Sequence, residues 1–190
     1  TVTSNTAAVS VATNDVNDTH PSGSAFTAGT EDFTITNTTA GTGHIITPTS
    51  GALTANNSTS YNVNPGVAAN LLVILAGQTH VPGVASAAAA ITGSATVQTA
   101  GSAFNAVVRA TDAFFNTITS DSSTSVSVVT NDINDTEPGS QTLATGSATF
   151  SFTNTTAGAT HTITPSGAGY AGVVSDNYTV SPSSAANLIV

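Results

Sequence analysis

Asp15, Asn17 and Asp18 place three hard oxygen ligands within four residues, inside Thr13-Asn14-Asp15-Val16-Asn17-Asp18-Thr19. The pattern returns as Thr130-Asn131-Asp132-Ile133-Asn134-Asp135-Thr136, so Asp132, Asn134 and Asp135 form a second set. Carboxylates and carboxamides at this spacing suit Ca²⁺, which takes about six to eight oxygens. The sets lack the glycine and terminal glutamate of an EF-hand loop. A second reading needs no ion. Asn and Asp side chains accept hydrogen bonds from backbone amides just ahead of them, and such Asx-turns alone build a tight loop. A calcium site predicts different melting temperatures in calcium and in chelator; an Asx loop predicts the same one.

Other reactive groups are sparse. His44 and His161 are equivalent and in phase with Ile46 and Ile163, as expected of half-buried strand histidines with satisfied rings. No second histidine recurs with them to make a metal pair. His20 is replaced by Glu137 in the second set, and His80 lies in a loop. No Gly-x-Ser-x-Gly elbow and no glycine-rich phosphate loop occur. Asp15 and Asp18 share one turn-rich loop with no aromatic platform, so no catalysis is expected of them. Cysteine is absent, which removes disulfides, thiol chemistry and cysteine-based zinc sites. Lysine is absent too, so Lys–Asn isopeptide crosslinks cannot form. Arg109 is the sole Lys/Arg residue in a chain of net charge −9. Nucleic acids and anionic membrane surfaces demand cationic side chains and are excluded as partners. Apolar runs such as 87–91 are far too short to insert in a membrane. There is no Trp, and most Phe and Tyr fall on the core phase. Phe114 and Phe115 are adjacent, so one packs inward and the other is left for an inter-sheet edge or a local sticky patch. Asn17, Asn37, Asn56, Asn57, Asn134, Asn154 and Asn177 each open an Asn-x-Ser/Thr sequon, making glycans a further partner class.

The elements that must position these groups are repeated. Thr13 maps onto Thr130, Thr36-Asn37-Thr38-Thr39 onto Thr153-Asn154-Thr155-Thr156, and Ala68-Ala69-Asn70-Leu71 onto Ala185-Ala186-Asn187-Leu188. Residues 1–73 align without a gap on 118–190, an offset of 117, and 31 of the 73 pairs are identical. A period of that size is a globular domain rather than a solenoid repeat. The expected divisions are 1–67, the later part of one repeat without its first strands; 68–184, a complete repeat; and 185–190, the first strand of the next. Helix signals are nearly absent. Period-two alternation marks strands at 71–75, at Phe104/Ala106/Val108/Ala110, at Val126/Val128, at Ala148/Phe150/Phe152, at His161/Ile163 and at Tyr178/Val180. The last four recur at Val9/Val11, Phe33/Ile35, His44/Ile46 and Tyr61/Val63. Some seven short strands per repeat predict an all-β fold of antiparallel two-sheet sandwiches.

Several segments resemble bacterial immunoglobulin-like repeats, which occur in tandem in large surface proteins and adhesins of the invasin–intimin kind. They are Ala-Ala-Asn-Leu-Leu-Val at 68–73, Gln98-Thr99-Ala100-Gly101-Ser102-Ala103-Phe104, Ala110-Thr111-Asp112-Ala113-Phe114-Phe115-Asn116, Thr155-Thr156-Ala157-Gly158, and Tyr178-Thr179-Val180-Ser181-Pro182. The resemblance covers essentially the whole chain and implies tandem immunoglobulin-like sandwiches at the cell surface. The position before the turn asparagine is often glycine in such repeats; here it is Phe115. The Asp-x-Asn-Asp wording also resembles the cadherin calcium linker, but that motif sits at a domain junction and this one lies deep inside the repeat. The expected function is a structural spacer or stalk module of a large extracellular protein, with neighbouring repeats or identical subunits as partners. Two alternatives stand beside it. One is a subunit of an extracellular filament or surface layer, joined by strand complementation between subunits. The other is an adhesive ligand-binding module.

Overall fold

The computed structural model describes residues 7–51 and 53–185. Within them the chain is all β, with strands and turns and no helix. It divides into two compact units, Thr1–Asn64 and Pro65–Val190. Gly66 sits with the second because its amide donates to the Asp112 carboxylate at 2.7 Å. The segment 186–190, expected to open a further repeat, lies outside the described residues.

The first unit carries β1 (Ala8–Thr13), β2 (Ser24–Ala25), β3 (Gly41–His44), β4 (Ile46–Thr49) and β5 (Tyr61–Val63). β1 pairs antiparallel with β2 and β4, and β3 with β5. The second unit carries β6 (Asn70–Leu75), β7 (Gln78–His80), β8 (Ile91–Gly93), β9 (Gln98–Thr99), β10 (Phe104–Thr111), β11 (Ser125–Thr130), β12 (Gln141–Thr142), β13 (Ser147–Phe152), β14 (Gly158–His161), β15 (Ile163–Gly167), β16 (Ala171–Val173) and β17 (Tyr178–Ser181). Its largest sheet runs β13-β10-β6-β16; two more run β12-β11-β15 and β14-β17-β9, and β7 pairs with β8. All pairings are antiparallel except β16 with β6 and β17 with β9. This is the all-β, mostly antiparallel arrangement of several sheets that the strand pattern predicts.

Alternation sets the faces. Along β13, Ala148, Phe150 and Phe152 are buried while Thr149 and Ser151 face out. β6 is different: Leu71, Leu72 and Val73 are all fully buried. Leu71 and Val73 join Val108, Val126, Phe150 and Ile163 in the main core. Leu72 turns the other way, onto Phe115 and Ala90 in a second cluster. A strand covered on both faces reads as a continuous apolar run, as 71–75 does.

Two strand expectations need correction. His161 and Ile163 do not share one strand. β14 ends at His161 and pairs with β17, and β15 begins at Ile163 and pairs with β11. The chain changes sheet at Thr162, and β3 and β4 repeat the change at Ile45. Nor do Phe33 and Ile35 lie on a strand: around them only Thr36 forms a bridge, to Thr19. Their counterpart β13 is held along its length by β10. Among the described residues no strand of the first unit pairs with 31–35 as β10 pairs with β13, and a segment without ladder hydrogen bonds has no reason to extend.

Phe115 resolves the turn in which glycine is the common residue. It adopts the left-handed conformation itself, at φ 58°, and its ring is buried beside Leu72. Left-handed backbone costs an ordinary residue about 1–2 kcal/mol and glycine almost nothing. Both Phe115→Gly and Phe115→Ala lose the ring, but only the alanine keeps the strain. Phe115→Gly is therefore expected to be the more stable of the two by about 1 kcal/mol in urea unfolding, the reverse of the usual order inside a strand.

Candidate functional site

Each residue of the Asn-Asp-x-Asn-Asp segment has a distinct place, and the two copies match. The Asn131 amide spans the change of sheet: its Nδ2 donates to Thr160 O at 2.9 Å and its Oδ1 accepts from Thr162 N at 2.9 Å. Asn14 does the same with Gly43 O and Ile45 N. A carboxamide carries one acceptor and two donors, so it can stand in for a missing peptide group. That satisfies backbone groups where the chain leaves one ladder for another.

Asp132 is the centre of the loop and 4% exposed. Its Oδ1 accepts from Asn134 N at 3.1 Å and from the Thr156 hydroxyl at 2.7 Å. Its Oδ2 accepts from the amides of Thr155 and Thr156, both at 2.9 Å. Asn154, 1% exposed, donates weakly to the same oxygen and accepts the Tyr178 hydroxyl at 2.8 Å. Asp15 repeats the arrangement with Asn17 N, Thr38 N, Thr39 N and the Thr39 hydroxyl. The carboxylate thus ties its own loop to the Asn-Thr-Thr turn more than twenty residues ahead. Burial pushes the Asp15 carboxyl up, but the Thr39 amide and hydroxyl and the amides of Asn17 and Thr38 outweigh it and hold it at about 2. Asp132 is held well below the usual carboxylate range by the same balance.

The remaining residues turn elsewhere. The Asn134 side chain donates to the Thr156 hydroxyl, and its carbonyl accepts from the Thr155 hydroxyl. Asp135 accepts from the Thr130 hydroxyl, which also accepts from Asp132 N. Asp18 accepts from the Thr13 hydroxyl at 2.6 Å and faces His20 Nδ1 at 3.0 Å. In both copies each of the three side chains takes part in hydrogen bonds within its own loop or to the Asn-Thr-Thr turn. Among the described residues no cluster of three or more His, Cys, Asp or Glu could hold a metal ion. The i to i+2 bonds from Asn17 N and Asn134 N are Asx-turns, the geometry of a loop that needs no ion. The melting temperature is expected to be the same in millimolar calcium and in chelator. A rise in calcium would mean that the ion displaces these donors.

The histidines differ from expectation. His44 and His161 are buried, at 7% and 6% exposed, and among the described residues Nδ1 of each finds no hydrogen-bond partner. Each ring packs on a tyrosine, Tyr61 at 5.8 Å and Tyr178 at 5.7 Å between centroids. Packing, not polar satisfaction, fixes them. Of the adjacent phenylalanines, Phe115 is the buried one and Phe114 is 41% exposed. One exposed apolar position does recur: Val16 and Ile133, at the tips of the two loops, are each 95% exposed. Two further carboxylate clamps belong to the second unit. Asp112 accepts from the amides of Phe114, Asn116 and Gly66. Asp121 accepts from Ser123 N, Thr124 N and the Tyr170 hydroxyl; burial and the Asp121 bond push that hydroxyl up to about 12.

No protein-family model matches the chain, and no curated protein matches it significantly. Among solved structures, the D0-D1 domain of intimin is similar at 12% identity and TM-score 0.39, over 95% of this chain and 84% of that one. A Bacteroides uniformis beta-glucuronidase 3 is similar at 10% identity and TM-score 0.40, over 92% of this chain and 21% of that one. Domains 4 and 5 of the S-layer protein SbsC are similar at 14% identity and TM-score 0.37, over 91% of this chain and 70% of that one.

Proposed function

We propose that this chain is a non-catalytic spacer module of a large extracellular repeat protein. One observation carries the reading: the polar residues that recur between the copies are spent on holding each copy together. Asn131 spans the sheet change, Asp132 anchors the distant turn, and Asn134 and Asp135 tie down the loop, as their counterparts do. A catalytic or ligand-binding repeat would conserve side chains aimed at a shared space. Without disulfides or isopeptide bonds, cohesion rests on strand ladders and these clamps. The net charge of −9 and the absence of lysine suit a cell-surface location, since a net charge far from zero favours solubility.

The experiment is mechanical. Concatenated copies of 68–184, stretched by atomic force microscopy, should unfold in discrete steps that each release roughly 35 nm of chain. Smooth extension with no steps would overturn the spacer reading. The half-buried apolar face of the first unit favours a second reading, a subunit that assembles with identical copies.

A further inference from the structure

Arg109, the only lysine or arginine of the chain, stands on the outer face of the largest sheet. Ala106, Val108 and Ala110 of β10 point into the main core, so Val107 and Arg109 point the other way. In the ladder Arg109 lies opposite Leu72 of β6 and Ser147 of β13. On the β6 side, Leu72 is buried in the second apolar cluster with Phe115 and Ala90. On the β13 side, the same face carries the half-buried Ser147 and the exposed Thr149 and Ser151. Arg109 thus stands between an apolar wall and a strip of hydroxyls.

Charge is unevenly spent in the second unit. Each of its carboxylates accepts from a donor of that unit. Asp112, Asp121 and Asp132 do so as described above; Asp135 accepts from the Thr130 hydroxyl, Glu137 from Thr130 N and Asp176 from the Gln78 amide. Arg109 has no such partner. Among the described residues the one ion pair joins His20 and Asp18, and the Arg109 Nε is buried without a hydrogen bond. A guanidinium does not shed its proton, so burial leaves it charged. That charge reaches into the apolar cluster. Burial holds His80 below its ordinary value, the bond to the Phe115 carbonyl opposes this, and the Arg109 charge adds to the lowering. A cation already stripped of part of its water gains more from an anion than one in bulk solvent. Of its three nitrogens only Nε is a buried, unpartnered atom, which leaves the terminal pair to meet a ligand.

We propose that Arg109 is a binding site for a single carboxylate, taken end-on by its two terminal nitrogens. A carboxylate offers two oxygens at the spacing of the guanidinium fork and accepts two parallel charge-assisted bonds. Ser147 and Thr149 hold the directly opposite and diagonal ladder positions, close enough for their hydroxyls to assist. One cation suffices for one carboxylate and is too little for a polyanion such as a nucleic acid. Burial of Nε fixes the direction of the fork before the ligand arrives, so little side-chain freedom is lost on binding. The carboxylate belongs either to a small molecule or to an acidic side chain of a second copy. The site depends on neither the spacer nor the assembling role.

Nuclear magnetic resonance on the 190-residue chain tests this, because its one arginine gives one Nε–H signal. Sodium acetate replaces sodium chloride stepwise at constant ionic strength, which holds screening fixed. Acetate should move the Nε–H signal and the amides of Ser147 and Thr149 along a saturating curve. Half-saturation is expected at roughly 10–100 mM, the affinity of one charge-assisted pair. Arg109→Gln keeps a polar side chain, removes the charge and should abolish the amide shifts. A dilution series without acetate separates the two sources. Shifts at the same groups that grow with protein concentration place an acidic side chain of a second copy at the site; signals that stay fixed assign it to small carboxylates. At the lowest protein concentration, a wild-type chain with no saturating response to acetate, or one that responds only to inorganic phosphate, would overturn the proposal. So would amide shifts that persist in folded Arg109→Gln.

Discussion

Asp132→Ala is expected to destabilise the second unit by about 3–5 kcal/mol, with the loss concentrated in hydrogen exchange of β11, β14 and β15. The carboxylate is 4% exposed and accepts from three backbone amides and one hydroxyl within 3.1 Å. Truncation leaves these donors in a space that water does not freely enter. Each buried donor without an acceptor costs about 1–3 kcal/mol, and the costs overlap because the loop relaxes. Asp132→Asn keeps one acceptor oxygen and should cost about half as much. The pair also differ from wild type in acid. Because the folded-state carboxyl is held below its unfolded value, its stabilisation is complete above about pH 4 and fades as pH falls through the folded pKa. Wild-type stability should therefore drop in acid, and Asp132→Asn should flatten that drop. Asp15 contributes the same slope in the first unit, between about pH 4 and about 2. A carboxylate bound to calcium would behave differently: Asp132→Ala would then matter only with the ion present.

The fold was legible wherever alternation was strong and the partner strand present. Phe150 and Phe152, Val126 and Val128, and Tyr178 and Val180 all lie on strands and all point inward. Alternation does not show which sheet a strand joins. His161 and Ile163 keep their phase across Thr162 while the ladder partner changes from β17 to β11, and the signal for that change was Asn131, thirty-one residues away from Thr162. The pairing of β7 with β8 carries too few apolar residues to announce itself: Gln78–His80 and Ile91–Gly93 hold one large aliphatic side chain between them. The site was half legible. Recurrence picked out Asp15 and Asp132, and the Asx-turn reading matches their local bonds. Their long-range partners, Thr39 and Thr156, sat in a segment noticed only as a repeated turn. A donor that serves a carboxylate twenty-four residues away leaves no pattern in composition or spacing.

Phe33 and Phe150 offer the second large effect, because they are one residue type at one repeat position in two environments. Phe150 is fully buried; it stands opposite Ala106 in the ladder and lies 6.5 Å from the Phe152 ring. Phe150→Ala leaves a cavity in a close-packed core and should cost about 3–5 kcal/mol. Phe33 is half-buried and lies on no strand. Phe33→Ala loses only part of a transfer free energy and makes no closed cavity, so about 1 kcal/mol is expected. Urea titrations followed by hydrogen exchange at 30–35 and 147–152 would read the two costs separately. The comparison weighs the sheet: repeat position and side chain are the same, and Phe150 is covered by the β10 ladder whereas Phe33 lies on no strand. Equal costs would mean that the apolar face of the first unit is covered in solution. The cover could then be identified by dilution, since a face covered by a second copy becomes exposed as the copies separate, and the cost of Phe33→Ala would fall with protein concentration while that of Phe150→Ala stayed fixed.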